Sequence, residues 1–343
     1  MKKILLTELE GFFGKLQETA KLYIPTDNEN GQAYFKEYEE GMTLSTQLNT
    51  VRSAKDFFFP QVENLVGFKV TGKEIERIET RNPAEPFILF GVRPCDVKSF
   101  TLLDRVFLAD PVDTYYEERR NAATVISLAC NAPEKTCFCT NFQVDPALKN
   151  PASGADVRAW MTEDALLLTA DTEKGEALLA AIGAEEADNA ADAVKKAIDE
   201  KVAALPLKDV DLSGVGAGKT QEIFNNPVWD KLSEACLGCG TCTFVCPTCQ
   251  CYDVQEFNDG HTVRRFRCWD SCMYSDFTQM SAGQPRPTQK ERFRQRFMHK
   301  LVYFPDRQDG EFGCVGCGRC LKKCPVHMNI VKVAKALAEK EEA

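Results

Sequence analysis

Cys236-Leu-Gly-Cys239-Gly-Thr-Cys242-Thr-Phe-Val-Cys246-Pro247 and Cys314-Val-Gly-Cys317-Gly-Arg-Cys320-Leu-Lys-Lys-Cys324-Pro325 repeat one spacing, C-x2-C-x2-C-x3-C-P. Three cysteines so spaced sit on a tight loop and present thiolates to three corners of an iron–sulfur cubane. The fourth, after a three-residue step, points away and ligates the cluster of the other run. Proline then stops the local helix. Crossed ligation predicts Cys236, Cys239, Cys242 and Cys324 on one [4Fe–4S] cluster, and Cys314, Cys317, Cys320 and Cys246 on the other. Structural zinc sites pair two CxxC units across a longer gap and rarely use three evenly spaced cysteines, so the spacing favours iron–sulfur. One-electron transfer is the expected chemistry.

At 343 residues the chain has room for two domains. Its 44% hydrophobic and 27% charged residues are those of an ordinary globular protein. No apolar run reaches the length that crosses a bilayer, and no membrane insertion is expected. The apolar stretch Ile4-Leu5-Leu6 is too short for a secretory core. A cytoplasmic location follows, and there sixteen cysteines read as metal ligands rather than disulfides. So many cluster thiolates suit anaerobic metabolism. Residues 221–343 carry 17 Lys and Arg against 15 Asp and Glu, whereas 1–220 carry 25 against 36. Overall acidity argues against a nucleic-acid partner. The mildly positive cysteine-rich part suits negatively charged clusters.

Residues 1–205 read as an α/β domain with a parallel or mixed sheet and a cysteine metal site. Phe87–Val92 is a continuous apolar run of strand length, and Ala123–Ala129 is a second apolar run that ends at Cys130. Between them, Val97, Phe100, Leu103, Val106 and Phe107 mark a helix starting near Asp96, which gives a parallel strand–helix–strand unit. Cys95 and Cys130 then fall just past strand C-termini, where open α/β sheets hold ligands. Within 185–205, Val194, Ile198, Val202 and Leu205 recur at helical spacing and predict a surface helix. Residues 206–220 read as a flexible linker. Its end, 213–220, imitates a phosphate loop, but Ser213 stands where glycine is required and no strand precedes it. Residues 221–343 form an α+β two-cluster ferredoxin-like domain, its runs separated by a long insert, 252–313. A final Ala/Lys/Glu helix, solvated or packed, follows Ile330.

Eight cysteines lie outside the two runs. Cys249, Cys251, Cys268 and Cys272 form two close pairs beside the first run, compatible with zinc or with a third cluster, and their adjacency favours iron–sulfur. Cys95, Cys130, Cys137 and Cys139 form a fourth set: the two strand ends bring Cys95 beside Cys130, and the following loop delivers the other two. Iron–sulfur is again favoured over zinc. Arg264-Arg265-Phe266-Arg267 and Arg292-Phe293-Arg294-Gln295-Arg296-Phe297 interleave aromatics with arginines, as single-strand nucleic-acid binders do. Beside clusters, such arginines serve better as donors toward sulfur or as ion pairs across the fold. Of His261, His299 and His327, the last follows Cys324 and is expected to pack by a cluster. No Ser/His/Asp or paired-carboxylate constellation and no dinucleotide fingerprint is visible, so no catalytic residue is expected.

Several strings carry a family resemblance: Gly91-Val-Arg-Pro-Cys95-Asp96, Thr136-Cys-Phe-Cys139-Thr140, Cys239-Gly-Thr-Cys242 running to Cys246-Pro-Thr-Cys249-Gln-Cys251, Trp269-Asp-Ser-Cys272, His299-Lys-Leu-Val-Tyr-Phe304 and Cys314-Val-Gly-Cys317-Gly-Arg-Cys320. Together they resemble the iron–sulfur beta subunit of sulfhydrogenase-type [NiFe] hydrogenases. The corresponding iron–sulfur subunits of anaerobic sulfite reductases and of flavin oxidoreductases linked to heterodisulfide reductase belong to the same group. The resemblance implies a non-catalytic electron-transfer subunit of a multi-subunit complex. Its expected partners are a flavoprotein NAD(P)H-oxidoreductase subunit, which holds the flavin, and a catalytic redox subunit of the hydrogenase, sulfite reductase or heterodisulfide reductase type. Two to four [4Fe–4S] clusters are expected on this chain. The alternative is a flavin-binding iron–sulfur oxidoreductase with its own active site in the N-terminal domain.

Overall fold

The computed structural model describes residues 1–47, 49–78, 81, 83–187 and 191–339. Among these, twelve strands build two sheets: β1 (Lys2–Leu5), β2 (Lys21–Asp27), β3 (Ala33–Glu37), β4 (Val62–Thr71), β5 (Glu74–Ile78), β6 (Phe87–Val92), β7 (Ala123–Leu128), β8 (Val157–Met161), β9 (Ala165–Ala170), β10 (Glu185–Glu186), β11 (Tyr252–Asn258) and β12 (Thr262–Trp269). The larger sheet is mixed, in the order β10-β1-β9-β8-β7-β6-β2-β3. Its centre, β2, β6, β7 and β8, is parallel. Antiparallel pairs flank it.

Burial on both faces explains the continuous apolar runs of the central strands. Ile88 and Phe90 turn toward the core under the helices Leu9–Thr19 and Glu173–Ile182, while Phe87, Leu89 and Val92 turn to the opposite face, under Pro94–Phe107 and Thr114–Ala122. At Gly91 (φ 81°) the register between β6 and β7 shifts. This bulge re-aims the chain at the strand end, and Pro94 opens the next helix in its first turn, where its missing N–H costs nothing. Cys95 and Cys130 thereby follow two neighbouring parallel strands.

The smaller sheet, β11-β12-β4-β5, is antiparallel throughout. Two of its strands come from the insert and two from residues 62–78, so the cysteine-rich region and the N-terminal region share one sheet. Arg267, only 4% exposed, locks it from β12 by pairing with Glu63 on β4 at 2.7 Å and with Asp113.

The glycine-rich stretch before residue 220 is packed rather than free. Val210 and Val215 are buried in the C-terminal core with Trp229, Phe293, Phe297 and Leu301. A Cβ on Gly214 would lie 2.1 Å from the Leu337 carbonyl oxygen, so only glycine permits that approach. The Gly218 N–H and the Thr220 hydroxyl donate to the Asp306 carboxylate at 2.5 and 2.8 Å, which puts a protein anion where a phosphate loop would hold its ligand. The C-terminal helix Ile330–Ala338 buries Ile330, Val331, Val333 and Ala334 and is a packing helix. The helix expected over 185–205 spans Ala191–Ala203, preceded by β10; positions 188–190 lie outside the described residues. Among the described residues no helix is long and apolar enough to cross a membrane.

Candidate iron–sulfur sites

Both cysteine runs fold alike. Each carries a left-handed glycine, Gly240 (φ 72°) or Gly318 (φ 78°), directly before a one-turn helix that holds the third cysteine. Cys236, Cys239, Cys242 and Cys324 line one cavity with Met273, Phe293, Arg296 and Phe297, so one residue of the second run joins three of the first. The exchange is reciprocal: Cys246 is an electrostatic neighbour of Cys314, Cys317 and Cys320. Cys239 is exposed, and Leu237 beside it is 66% exposed.

The glycines show what covers each run. A Cβ on Gly240 would lie 2.6 Å from the Tyr274 hydroxyl, contributed by the insert. The same addition on Gly316 or Gly318 would strike the Phe138 or Thr136 carbonyl oxygen at 2.5 and 2.6 Å. The second run is therefore roofed by the backbone of the N-terminal loop, and the Phe138 N–H donates to the Gly316 carbonyl at 2.9 Å.

That loop brings the fourth set together. Cys95, Cys130, Cys137 and Cys139 line a single cavity with Pro94, Pro133 and Cys317, so this cavity adjoins the second run. Burial raises all four thiols, Cys130 to about 11 and Cys137 to about 12. Such thiols lose their protons when a metal takes its place.

The third set is divided. Cys249, Cys251 and Cys272 line a cavity with Arg296, His299 and Lys300. Cys249 donates to Cys246, which holds the Cys246 thiol well below its usual range, and Cys272 donates to Cys251, which lowers that thiol to about 7. Cys268, expected with them, is elsewhere. Its side chain faces a separate cleft beside Asp253 and Asp270, because strand alternation on β12 buries Arg267 and Trp269 on the other face.

Three buried cations stand among the cysteines with no carboxylate in ion-pair contact among the described residues. Arg296 donates to the Cys242 carbonyl at 2.9 Å and to Cys249 Sγ at 3.5 Å, while its Nε is buried without a partner. Lys300 donates to the Thr248 hydroxyl at 2.6 Å and the Gly313 carbonyl at 2.9 Å. Lys55 donates to the Cys249 carbonyl at 2.8 Å and lies 3.9 Å over the Trp269 ring. Burial presses down on each ammonium or guanidinium and prevails at Lys55, yet the neighbouring cysteine sulfurs raise Arg296 and Lys300 overall. A buried cation needs a counter-charge, and sulfur is the one within reach. The donor set therefore fits anionic iron–sulfur groups. The sets ring cavities rather than close on a point: among the described residues no group of three or more His, Cys, Asp or Glu is placed to hold a single ion.

A fourth buried cation, Arg319, pairs with Asp96 at 2.6 and 2.7 Å and ties the second run to the helix that begins beside Cys95. Of the two arginine-aromatic stretches, only Arg296 reaches a cysteine sulfur. Arg267 pairs across the fold, Arg265 pairs with Glu256 at the surface, and Arg294 lies over Phe224. His327 is exposed rather than packed, whereas His299 lines the third cavity. Lys55 has no signal in the sequence, being a single lysine before a phenylalanine run. Lys300 lies within a family-like string, but nothing in its spacing marks it as buried.

A family model described as a 4Fe-4S dicluster domain matches residues 235–328. Sulfhydrogenase 2 subunit beta of Pyrococcus furiosus is 32% identical over 337 residues, covering 96% of this chain and 95% of that protein. No solved structure matches.

Proposed function

The chain belongs to the family of sulfhydrogenase iron–sulfur beta subunits, and from that premise we propose that it relays single electrons between a flavoprotein subunit exchanging hydride with NAD(P)H and a catalytic redox subunit. It is an electron-transfer iron–sulfur subunit of an oxidoreductase complex. The two partners are the proposal. Cys236, Cys239, Cys242 and Cys324 hold a first [4Fe–4S] cluster, Cys314, Cys317, Cys320 and Cys246 a second, and Cys95, Cys130, Cys137 and Cys139 one at the sheet end. A further group sits with Cys249, Cys251 and Cys272. The 1–205 region thus carries one site, and 221–343 carries the rest.

The adjacency of the cysteine sets carries this reading. Cys317 of the second set lines the cavity of the fourth, Cys246 of the second and Cys249 of the third both neighbour Lys300, and Arg296 touches the Cys242 carbonyl of the first and Cys249 of the third. Neighbouring sites this close suit a relay, while a lone structural metal needs no neighbour. Bound clusters supply one-electron storage. The chain's own residues set their potentials through Arg296, Lys300 and Lys55, and exclude water through Phe138, Phe293 and Phe297. The exposed Cys239 makes the first set the port toward a partner. Iron and acid-labile sulfide analysis of anaerobically purified protein, with EPR, tests the relay. Fewer than about eight iron atoms per chain, the content of two cubanes, would sink it. Identification of the co-purifying chains decides the partners.

A further inference from the structure

In the third cavity three cysteines leave one corner of a cubane without a thiolate. Cys268 is held away from it. On β12 it shares a face with its partners Asp253 and Val62, the latter 62% exposed, opposite the buried Arg267 and Trp269. Moving its side chain inward would take a one-residue slip of β12, which would break the register with β11 and β4 and the Arg267–Glu63 pair.

The remaining wall of the cavity comes from the helix Gln289–Met298, which a Thr288–Glu291 capping box starts and which continues as a π-helix over His299–Tyr303. π turns are rare and occur frequently at functional sites. Here the segment sets Arg296, His299 and Lys300 along one wall, facing Cys249, Cys251 and Cys272. Arg296 and Lys300 are cations without a lone pair to give. The Thr248 hydroxyl already serves Lys300 and the Gly313 carbonyl. Gln250 offers a hard amide oxygen, a poor match for iron in a sulfide cluster. His299 offers an imidazole nitrogen, a known iron ligand in sulfide clusters, and no hydrogen bond occupies its ring among the described residues.

We propose that the third site is a [4Fe–4S] cluster held by Cys249, Cys251, Cys272 and the imidazole of His299. The assignment rests on the relay reading above. Imidazole in place of a thiolate removes one negative charge from the ligand set, which raises the reduction potential. The third site is then the most easily reduced stop beside the second cluster, suited to holding an electron while a partner completes a two-electron step.

The test uses the full-length chain, purified anaerobically in its complex from cells fed isotopically labelled histidine. Pulsed EPR of the reduced protein shows coupling to an iron-bound imidazole nitrogen that follows the label and vanishes in His299→Ala. Cys268→Ser keeps its full iron content. His299→Cys, which supplies a thiolate again, also keeps its iron but loses the nitrogen coupling and moves one redox couple to lower potential. The proposal is overturned by a protein with full iron and no nitrogen coupling, by coupling that survives His299→Ala, or by loss of about four irons in Cys268→Ser. Iron below about eight atoms per chain would defeat the relay itself, and this site with it.

Discussion

Replacing Arg319 by methionine should loosen the contact between the second cysteine run and the α/β sheet more than any surface change can. Both partners of the Arg319–Asp96 pair are buried, 3% and 1% exposed, and two parallel N–H···O bonds join them at 2.6 and 2.7 Å. Arg319 also donates to the Thr50 carbonyl at 2.8 Å. In Arg319→Met the Asp96 carboxylate stays buried beside Cys95 and Cys317 with its counter-charge gone, an outcome that costs about 3–5 kcal/mol. Adding Asp96→Asn removes the stranded charge, and the double variant should then recover about 2–3 kcal/mol, leaving the lost Thr50 bonds at roughly 1 kcal/mol each. Hydrogen exchange reads this locally, through the amides of the helix Pro94–Phe107 and of Arg319–Lys323, without unfolding the clusters. A loss of about 3 kcal/mol appears as exchange faster by roughly two orders of magnitude. If the single and double variants exchange alike, within about 0.5 kcal/mol, the pair is not the tie and the charge reasoning fails.

Three further outcomes follow from the same contacts. Gly318→Ala meets both a left-handed backbone and the Thr136 carbonyl, whereas Gly31→Ala (φ 65°, open space) meets only the first. Thermal unfolding should therefore show a loss of about 1 kcal/mol for Gly31→Ala and roughly 1–3 kcal/mol more for Gly318→Ala; equal losses would mean that the loop does not roof the run. Lys300→Met removes a cation beside Cys246 and Cys249, so EPR-monitored titration should show a couple on the order of 50–100 mV more negative, and an unchanged potential would refute the counter-charge role. Asp306→Ala releases the Gly218 N–H and the Thr220 hydroxyl, worth about 1–3 kcal/mol as bonds to a charged acceptor. Limited proteolysis within 213–220 should then quicken by about tenfold, and resistance equal to the parent would show that Gly214 packing alone holds the stretch.

What the sequence discloses depends on how local each signal is. The strand runs Phe87–Val92 and Ala123–Leu128 are legible because apolar residues fall on both faces of each, which two-sided burial explains, and the helix between them makes the pair parallel; within β7 the polar Ser127 is buried by donating to the Val92 carbonyl. The convergence of Cys95, Cys130, Cys137 and Cys139 follows from that topology plus one loop. Cys268 misleads because its distance from Cys272 along the chain looks like a ligand spacing, while the alternation of β12 decides where its side chain goes. The 206–220 stretch reads as a linker because glycine composition does not distinguish freedom from close approach; Gly214 is there so that Leu337 can touch it. The pairing of insert strands with residues 62–78 leaves no local mark, since β5 is exposed along most of its length and β4 mixes buried, half-buried and exposed positions without a clean alternation.

The two cysteine runs are near copies in sequence and unlike in setting, and the difference gives the molecule a direction. Around the first run the covering groups are the Tyr274 side chain, which contacts Gly240, and the Gln289 amide, 2.8 Å from a Cβ built on Gly238. These are side-chain tips that can yield, and Cys239 stays exposed. Around the second run they are main-chain carbonyls of Thr136 and Phe138, which cannot move without shifting the loop that carries Cys137 and Cys139. The buried, rigid run therefore couples to the sheet-end site, and the yielding, exposed run faces outward. Cys239→Ser and Cys139→Ser should separate the two roles. The first should slow electron exchange with a partner at the surface while leaving the sheet-end site's EPR signal intact. The second should remove that signal, about four irons, and leave surface exchange at the parental rate. If Cys139→Ser slowed surface exchange as much as Cys239→Ser, the exposed run would not be the port.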